Sequence, residues 1–166
     1  MTPLTDIYDQ LCSEYAPTRP ALQLWYRMLA CHVHATRPVS RFLKSQSHIS
    51  LPGYDVLTVL ARHPDGINMT QLARLLLVGK SNVTGIVSGL ERSGLIVRVV
   101  THADRRGRLV KFTAKGKAFW KKTNHRYEAF IGRLLRGVDA ADRTAIEQQL
   151  ALMQKRITRS EPDVDD

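Results

Sequence analysis

The sequence predicts an all-α fold carrying one small β wing. Apolar residues recur at helical spacing through most of the 166 positions. The pattern switches once, after Gly94, to a β-branched run that a polar arginine-bearing stretch divides into two halves. Between these regions, short segments begin on Ser or Asn and are broken by Gly, as capped helices are.

Taken in order, Ala21 to about Ser45 places Leu22, Trp25, Leu29 and Val33 on one side of a long helix. Pro38 lies inside it and cannot donate a backbone hydrogen bond, so a kink or break near Thr36–Arg37 is expected. A second helix starts at Ser50, whose hydroxyl can cap, with Pro52 in its first turn, and runs through Tyr54, Val56, Leu57 and Leu60 to Arg62. His63 to Gly66 end it. A third opens on Asn68 with Gln71 three positions on, a capping-box arrangement, and Gly79 is expected to stop it. The fourth begins at Lys80 and carries Val83, Ile86, Val87 and Leu90 on one face, leaving Ser81, Asn82, Thr84, Ser88 and Arg92 on or beside the other. Gly85 and Gly89 weaken this helix and allow close approach, either to a neighbouring helix or to a partner.

Leu95–Val100 and Leu109–Thr113 read as a hairpin whose tip is Asp104, Arg105, Arg106 and Gly107. Ala114–Arg136 returns to helical spacing with Phe119, Tyr127, Phe130, Ile131, Leu134 and Leu135, and a last helix from Asp139 or Ala140 carries Ile146, Leu150, Met153 and Ile157. The acidic residues after Ser160 suit a disordered tail.

Charge narrows the function. The net charge is +10, but residues 71–126 hold 13 Lys and Arg against Glu91 and Asp104, a net of +11 that leaves the remainder at −1. Such a concentrated field draws polyanions by counterion release. No single amphipathic helix spans the basic block, which favours nucleic acid over a membrane surface. No apolar run reaches the roughly 18 residues of a membrane span, and Met1–Gln10 lacks the layout of a secretory signal, so a cytoplasmic protein is expected. Cys12 and Cys31 are too few for a disulfide scaffold. Enzyme motifs are absent: no Ser-His-Asp order, P-loop, dinucleotide fingerprint or metalloprotease helix occurs, and no cofactor is implied.

Two short helices across a tight turn, then a hairpin with arginines at its tip, all within the basic block, make a winged helix-turn-helix, a geometry that reads duplex DNA. The runs Gln71–Ile96 and Asp104–Gly116 resemble the MarR family, multiple antibiotic resistance regulators, over about Ala21 to Met153. The most specific match is in the wing, where Asp104, Arg106, Thr113 and Gly116 fit the family pattern Asp-x-Arg, strand, Thr-x-x-Gly.

The resemblance implies a homodimer built by helices from both chain ends, organised as residues 1–48 (N-terminal dimerisation), 49–116 (winged helix-turn-helix), 117–160 (C-terminal dimerisation) and 161–166 (tail). It implies that Lys80–Arg92 is the recognition helix, that Lys80, Ser81, Asn82, Thr84, Ser88 and Arg92 face DNA, and that Arg105, Arg106 and Arg108 serve the wing. Arg106 matches the minor-groove arginine and Asp104 the acid that orients it; the alternative role for Asp104 is a turn residue bonding its own backbone, and the two can coexist. The expected partner is a pseudo-palindromic double-stranded operator, and the expected logic is repression relieved by a small molecule.

Three sensing modes compete. A phenolic or aromatic acid would use Trp25, Tyr26, Arg41 and His48, although such a stripe also suits an interface core. A thiol switch would use Cys12, which with Tyr15 resembles the family's organic-hydroperoxide sensors. Metal sensing would need Cys31, His32, His34 and His48, but His32 and His34 do not share a helical face, and scattered surface histidines explain them better. A winged helix that binds an acidic protein rather than DNA is the remaining rival.

Overall fold

The computed structural model describes residues 4–14, 19–101 and 104–159. The chain divides into two compact units, residues 1–130 and residues 131–166.

In the first unit, α1 (Leu4–Glu14) packs on α2 (Pro20–Ser47). The helix α1 lies in a stretch where the sequence pattern marked no separate element. Pro20 opens α2, where its missing N–H costs nothing. Of the kink or break expected at Pro38, the break is absent: α2 is continuous through it. Proline removes one ladder bond, whereas the turns beyond it are held by Val39 and Leu43, both buried. His48 ends the helix in the left-handed region at φ 50°, its N–H returning to the carbonyls of Leu43 and Lys44.

Helix α3 (Leu51–Ala61) starts as predicted, with the Ser50 hydroxyl accepting from Gly53 N at 3.2 Å. Its residues Val56, Leu57 and Leu60 form the centre of the core with Leu43, Leu72, Val83, Val87, Ile96 and Val110. After a turn closed by Gly66 at φ 93° comes a two-residue strand, β1 (Ile67–Asn68), which the sequence did not signal. Asn68 Oδ1 accepts from Gln71 N at 2.8 Å and so starts α4 (Met69–Leu76).

The stop of α4 differs from expectation. Leu77, at φ 53° and ψ 39°, takes the left-handed position, whereas Gly79 at φ −61° is the N-cap of α5 (Lys80–Arg92). The chain turns on a leucine.

Strands β2 (Ile96–Thr101) and β3 (Asp104–Phe112) pair antiparallel from Ile96↔Phe112 to Thr101↔Asp104, with an irregularity between Val100 and Thr101. β1 adds to the other edge of β3 through Ile67↔Val110, giving the order β1-β3-β2. The tip differs from expectation: Asp104–Gly107 belong to β3, with Asp104 opposite Thr101 and the next pair at Val100↔Arg108, so residues 105–107 make up the irregularity in the ladder.

Helix α6 (Ala114–Leu134) leaves the sheet over Thr113, whose hydroxyl accepts from Gly116 N at 2.9 Å. α6 is joined to α3 by Tyr54, which stacks on Tyr127 at 4.4 Å and donates to Asn124 Oδ1 at 2.6 Å. In the second unit, Asp139 caps α7 (Ala140–Ile157) by accepting from Asp142 N at 2.8 Å. No residue of α7 is buried, and Ile146, Leu150, Leu152 and Ile157 are about half exposed. A groove of about 450 Å³ on this unit is lined by Leu135, Val138, Ile146 and Leu150 among others.

Candidate nucleic-acid interface

Helix α5 is divided by its own periodicity. Val83 and Val87 are fully buried and Leu90 nearly so, which turns this stripe onto α3 and α4. Ser81, Asn82, Thr84 and Arg92 are left exposed. Its N-cap, Gly79, has no side chain to accept from the first amides, which leaves their partial positive charge at the end of the helix that carries Ser81 and Asn82. The side chain of Lys80 lies outside the described residues. Gly85 and Gly89 have nothing within 4 Å of a built Cβ, so they do not serve close packing of a helix within this chain.

Ser88 occupies a different place from its expected one. It is partly buried and accepts from Arg98 Nη2 at 2.9 Å. The same guanidinium donates through Nη1 to Glu91 Oε2 at 2.7 Å, and Arg98 N donates to Glu91 Oε1 at 3.2 Å. A charge-assisted, partly shielded pair with further bonds to the backbone and to Ser88 is stronger than an exposed ion pair. It clamps strand β2 to α5, so the orientation of the wing is tied to that of the polar helix. The sequence carried a hint, an acid seven residues before an arginine across Gly94, but only the fold makes them neighbours.

At the base of the wing, Thr113 Oγ1 donates to Gly94 O at 2.7 Å, and Gly116 lies so close to the backbone just before β2 that a Cβ there would be 1.7 Å from Leu95 O. The Thr-x-x-Gly motif is thus a joint between hairpin and helix. At the other end, Asp104, Arg105 and Arg106 lie in β3, but their side chains, and the expected contact between Asp104 and Arg106, fall outside the described residues. Arg108 is exposed.

The residues expected to sense a ligand are not brought together. Trp25 is 52% exposed, Tyr26 stacks on Tyr8 at 6.4 Å, and Arg41 is exposed further along α2. His48 follows the last turn of the helix, roughly 34 Å beyond Trp25 at the helical rise. His48 alone reaches a cavity, a space of about 450 Å³ bounded by Ser50 and Gly53, by Gly85, Ile86 and Gly89 of α5, and by Lys115 and Phe119 of α6. Lys115 Nζ donates to Ser93 O at 2.8 Å on its rim.

Cys12 is fully buried between α1 and α2, with its thiol 3.7 Å from Gln23 O. Burial of that kind shields a thiol from oxidants. Cys31 is exposed, and among the described residues no group of three or more His, Cys, Asp or Glu could hold a metal ion. Among them, too, no helix is long and apolar enough to cross a membrane. Behind the interface, burial pushes the Tyr54 hydroxyl up to about 12 and raises the Asp55 carboxyl above its usual range.

A helix with one buried and one polar face, set after a tight turn and clamped to a three-stranded sheet, defines a winged helix-turn-helix protein. Comparison with known proteins agrees. Residues 49–107 match the model of the MarR family. The transcriptional activatory protein BadR of Rhodopseudomonas palustris is 29% identical over 118 residues, 69% of this chain and 67% of that protein. A MarR family regulator from Silicibacter pomeroyi superposes with a TM-score of 0.74 at 25% identity, over 86% of this chain and 98% of the other. CouR, a transcriptional repressor solved on a 23-mer DNA duplex, superposes at 0.72 and 24% identity over 79% of this chain and 92% of its own, a likeness of fold. CouR from Rhodococcus jostii has also been solved bound to p-coumaroyl-CoA, and superposes at 0.67 and 22% identity over 79% and 88%. Residues 49–107 thus carry the sequence pattern of the MarR family, and the fold is that of MarR family transcriptional regulators of known structure.

Proposed function

We propose that this protein is a homodimer that binds a pseudo-palindromic DNA operator through α5 and the wing and represses transcription until a small aromatic acid, or a thioester of one, releases it. The observation that carries the reading is the two-faced α5: a buried Val83–Val87–Leu90 stripe opposite Ser81, Asn82, Thr84 and Arg92, with an uncapped N-terminus inside a segment of net charge +11. A helix of this width fits the major groove, and the arginines of β3 extend the footprint to the neighbouring minor groove. The family's architecture supports dimerisation through residues 1–48 and 117–160, and the half-exposed apolar row of α7 is consistent with it. Two such lobes call for half-sites about one helical turn, roughly 34 Å, apart.

For the effector, the cavity against α5 is the supported site. Phe119 supplies an aromatic wall, the open faces of Gly85 and Gly89 leave room, and Lys115 and His48 provide polar and cationic groups for a carboxylate. The binding of p-coumaroyl-CoA by CouR, a protein of the same fold, supports an aromatic acid or its thioester as the ligand class. A ligand there that prefers a lobe position mismatched to the operator lowers DNA affinity, and DNA lowers ligand affinity by the same factor. Burial of Cys12 argues against oxidant sensing at that thiol. Equilibrium binding to labelled duplex across salt concentrations tests the core of the reading: affinity should fall steeply with salt, and Arg106→Ala should weaken binding and flatten the slope. Salt-independent binding, or no effect of the wing arginine, would overturn it.

A further inference from the structure

We infer that Leu77, in the turn between α4 and α5, is a specificity-determining residue that packs on thymine C5-methyl groups in the major groove. The inference rests on the DNA-binding reading above and adds to it a residue the helix pattern alone does not mark.

Leu77 is costly where it stands. Its backbone is left-handed, at φ 53° and ψ 39°, and its N–H closes the turn onto the carbonyls of Ala73 and Arg74. Glycine or asparagine ordinarily fills such a position, because a Cβ crowds the backbone there. Leu77 recovers nothing by burial: it is 88% exposed, more than any other large apolar side chain among the described residues. Leu75 and Val78 beside it are 53% and 41% exposed, so the turn presents an apolar edge.

The occupant of that edge follows from what adjoins it. Val78 and Gly79 lead directly into the uncapped, polar end of α5, the end that enters the groove. Lys80 is three positions on from Leu77, so even a fully extended chain keeps their Cα atoms within roughly 11 Å of one another. The major groove is about 12 Å wide. Seating α5 therefore holds Leu77 at the groove rather than beyond it. The surrounding segment, net +11, selects a polyanion as partner and disfavours a plain apolar protein surface. The thymine methyl is the one apolar group a base edge presents in that groove.

The test uses the full chain, the duplex it retains from a random pool, and copies of that duplex with deoxyuridine replacing thymine at one position per half-site. Leu77→Gly and Leu77→Asn both accept the left-handed backbone, so Tm should hold or rise. Both should bind the selected duplex about fourfold more weakly per half-site, the worth of one buried methyl. At one thymine, uracil should weaken the wild type by the same factor and leave both variants unchanged, as coupled partners do. Variants that bind as tightly as wild type, or a uracil penalty identical in all three proteins, would overturn the inference. If the wild type retains no duplex at all, the DNA-binding reading falls with it, an outcome distinct from a protein that binds DNA without regard to Leu77.

Discussion

Replacing Gly116 by alanine places a methyl group where the structure has none to spare. The new Cβ would lie 1.7 Å from Leu95 O, 2.6 Å from its carbonyl carbon and 3.0 Å from its Cα, whereas ordinary contact begins near 3.4 Å. The obstacle is backbone, so no rotamer change relieves it, and the first turn of α6 must retreat by about 1.7 Å. That movement strains the bond from Thr113 N to Leu95 O, now 3.1 Å, and the one from Thr113 Oγ1 to Gly94 O, now 2.7 Å. Each is worth about 1 kcal/mol. Overpacking adds about 1–3 kcal/mol, and alanine returns about 1 kcal/mol in helix propensity. The net loss of about 2–4 kcal/mol corresponds to a fall in Tm of roughly 5–15 °C for a chain of this size. Thermal unfolding followed by circular dichroism, at matched protein concentration, reads it. Gly132→Ala, in the same helix with nothing within 4 Å of its Cβ, is the control and should raise Tm by a few degrees. A Gly116→Ala protein as stable as wild type would show that the joint between wing and α6 is not close-packed as described.

Three further outcomes are expected. Arg98→Leu, which removes the clamp on Glu91 and Ser88, should cost about 1–2 kcal/mol of stability and weaken operator binding with an unchanged salt slope, because this guanidinium is committed to Glu91 rather than to phosphate; a reduced slope would make it a phosphate contact. Tyr54 ionises near 10.0 in an unfolded chain and at about 12 here, so the stability of the fold should change as pH rises from 10 toward 12, falling more steeply in wild type than in Tyr54→Phe, as urea unfolding at each pH would report. Deleting the residues beyond Gly137 removes α7 and should convert a dimer to monomer in sedimentation velocity; a stable truncated dimer would refute the assigned role.

Elements whose signals are local were legible in the chain. Ser50, Asn68 and Asp139 each cap the helix they precede, because a cap needs only the backbone a few residues on. The division of α5 followed from the spacing of Val83, Val87 and Leu90. Features that depend on distant partners were not. β1 exists only because Val110 and Leu109 lie opposite Ile67 and Asn68. The tolerance of Pro38 depends on packing beyond it, and the left-handed Leu77 contradicts its own propensity, which is why Gly79 looked like the stop. Helical spacing could not tell which part of a 28-residue helix lies near a cavity, and of Trp25, Tyr26, Arg41 and His48 only His48, just past its end, lines the one against α5.

The measurement that bears most directly on the central claim is sequencing of the duplexes retained by the purified protein from a random pool. Paired recognition helices predict an enriched inverted repeat with half-site centres about 10 base pairs apart. An unenriched pool, or a single asymmetric motif, would contradict a symmetric dimer reading DNA.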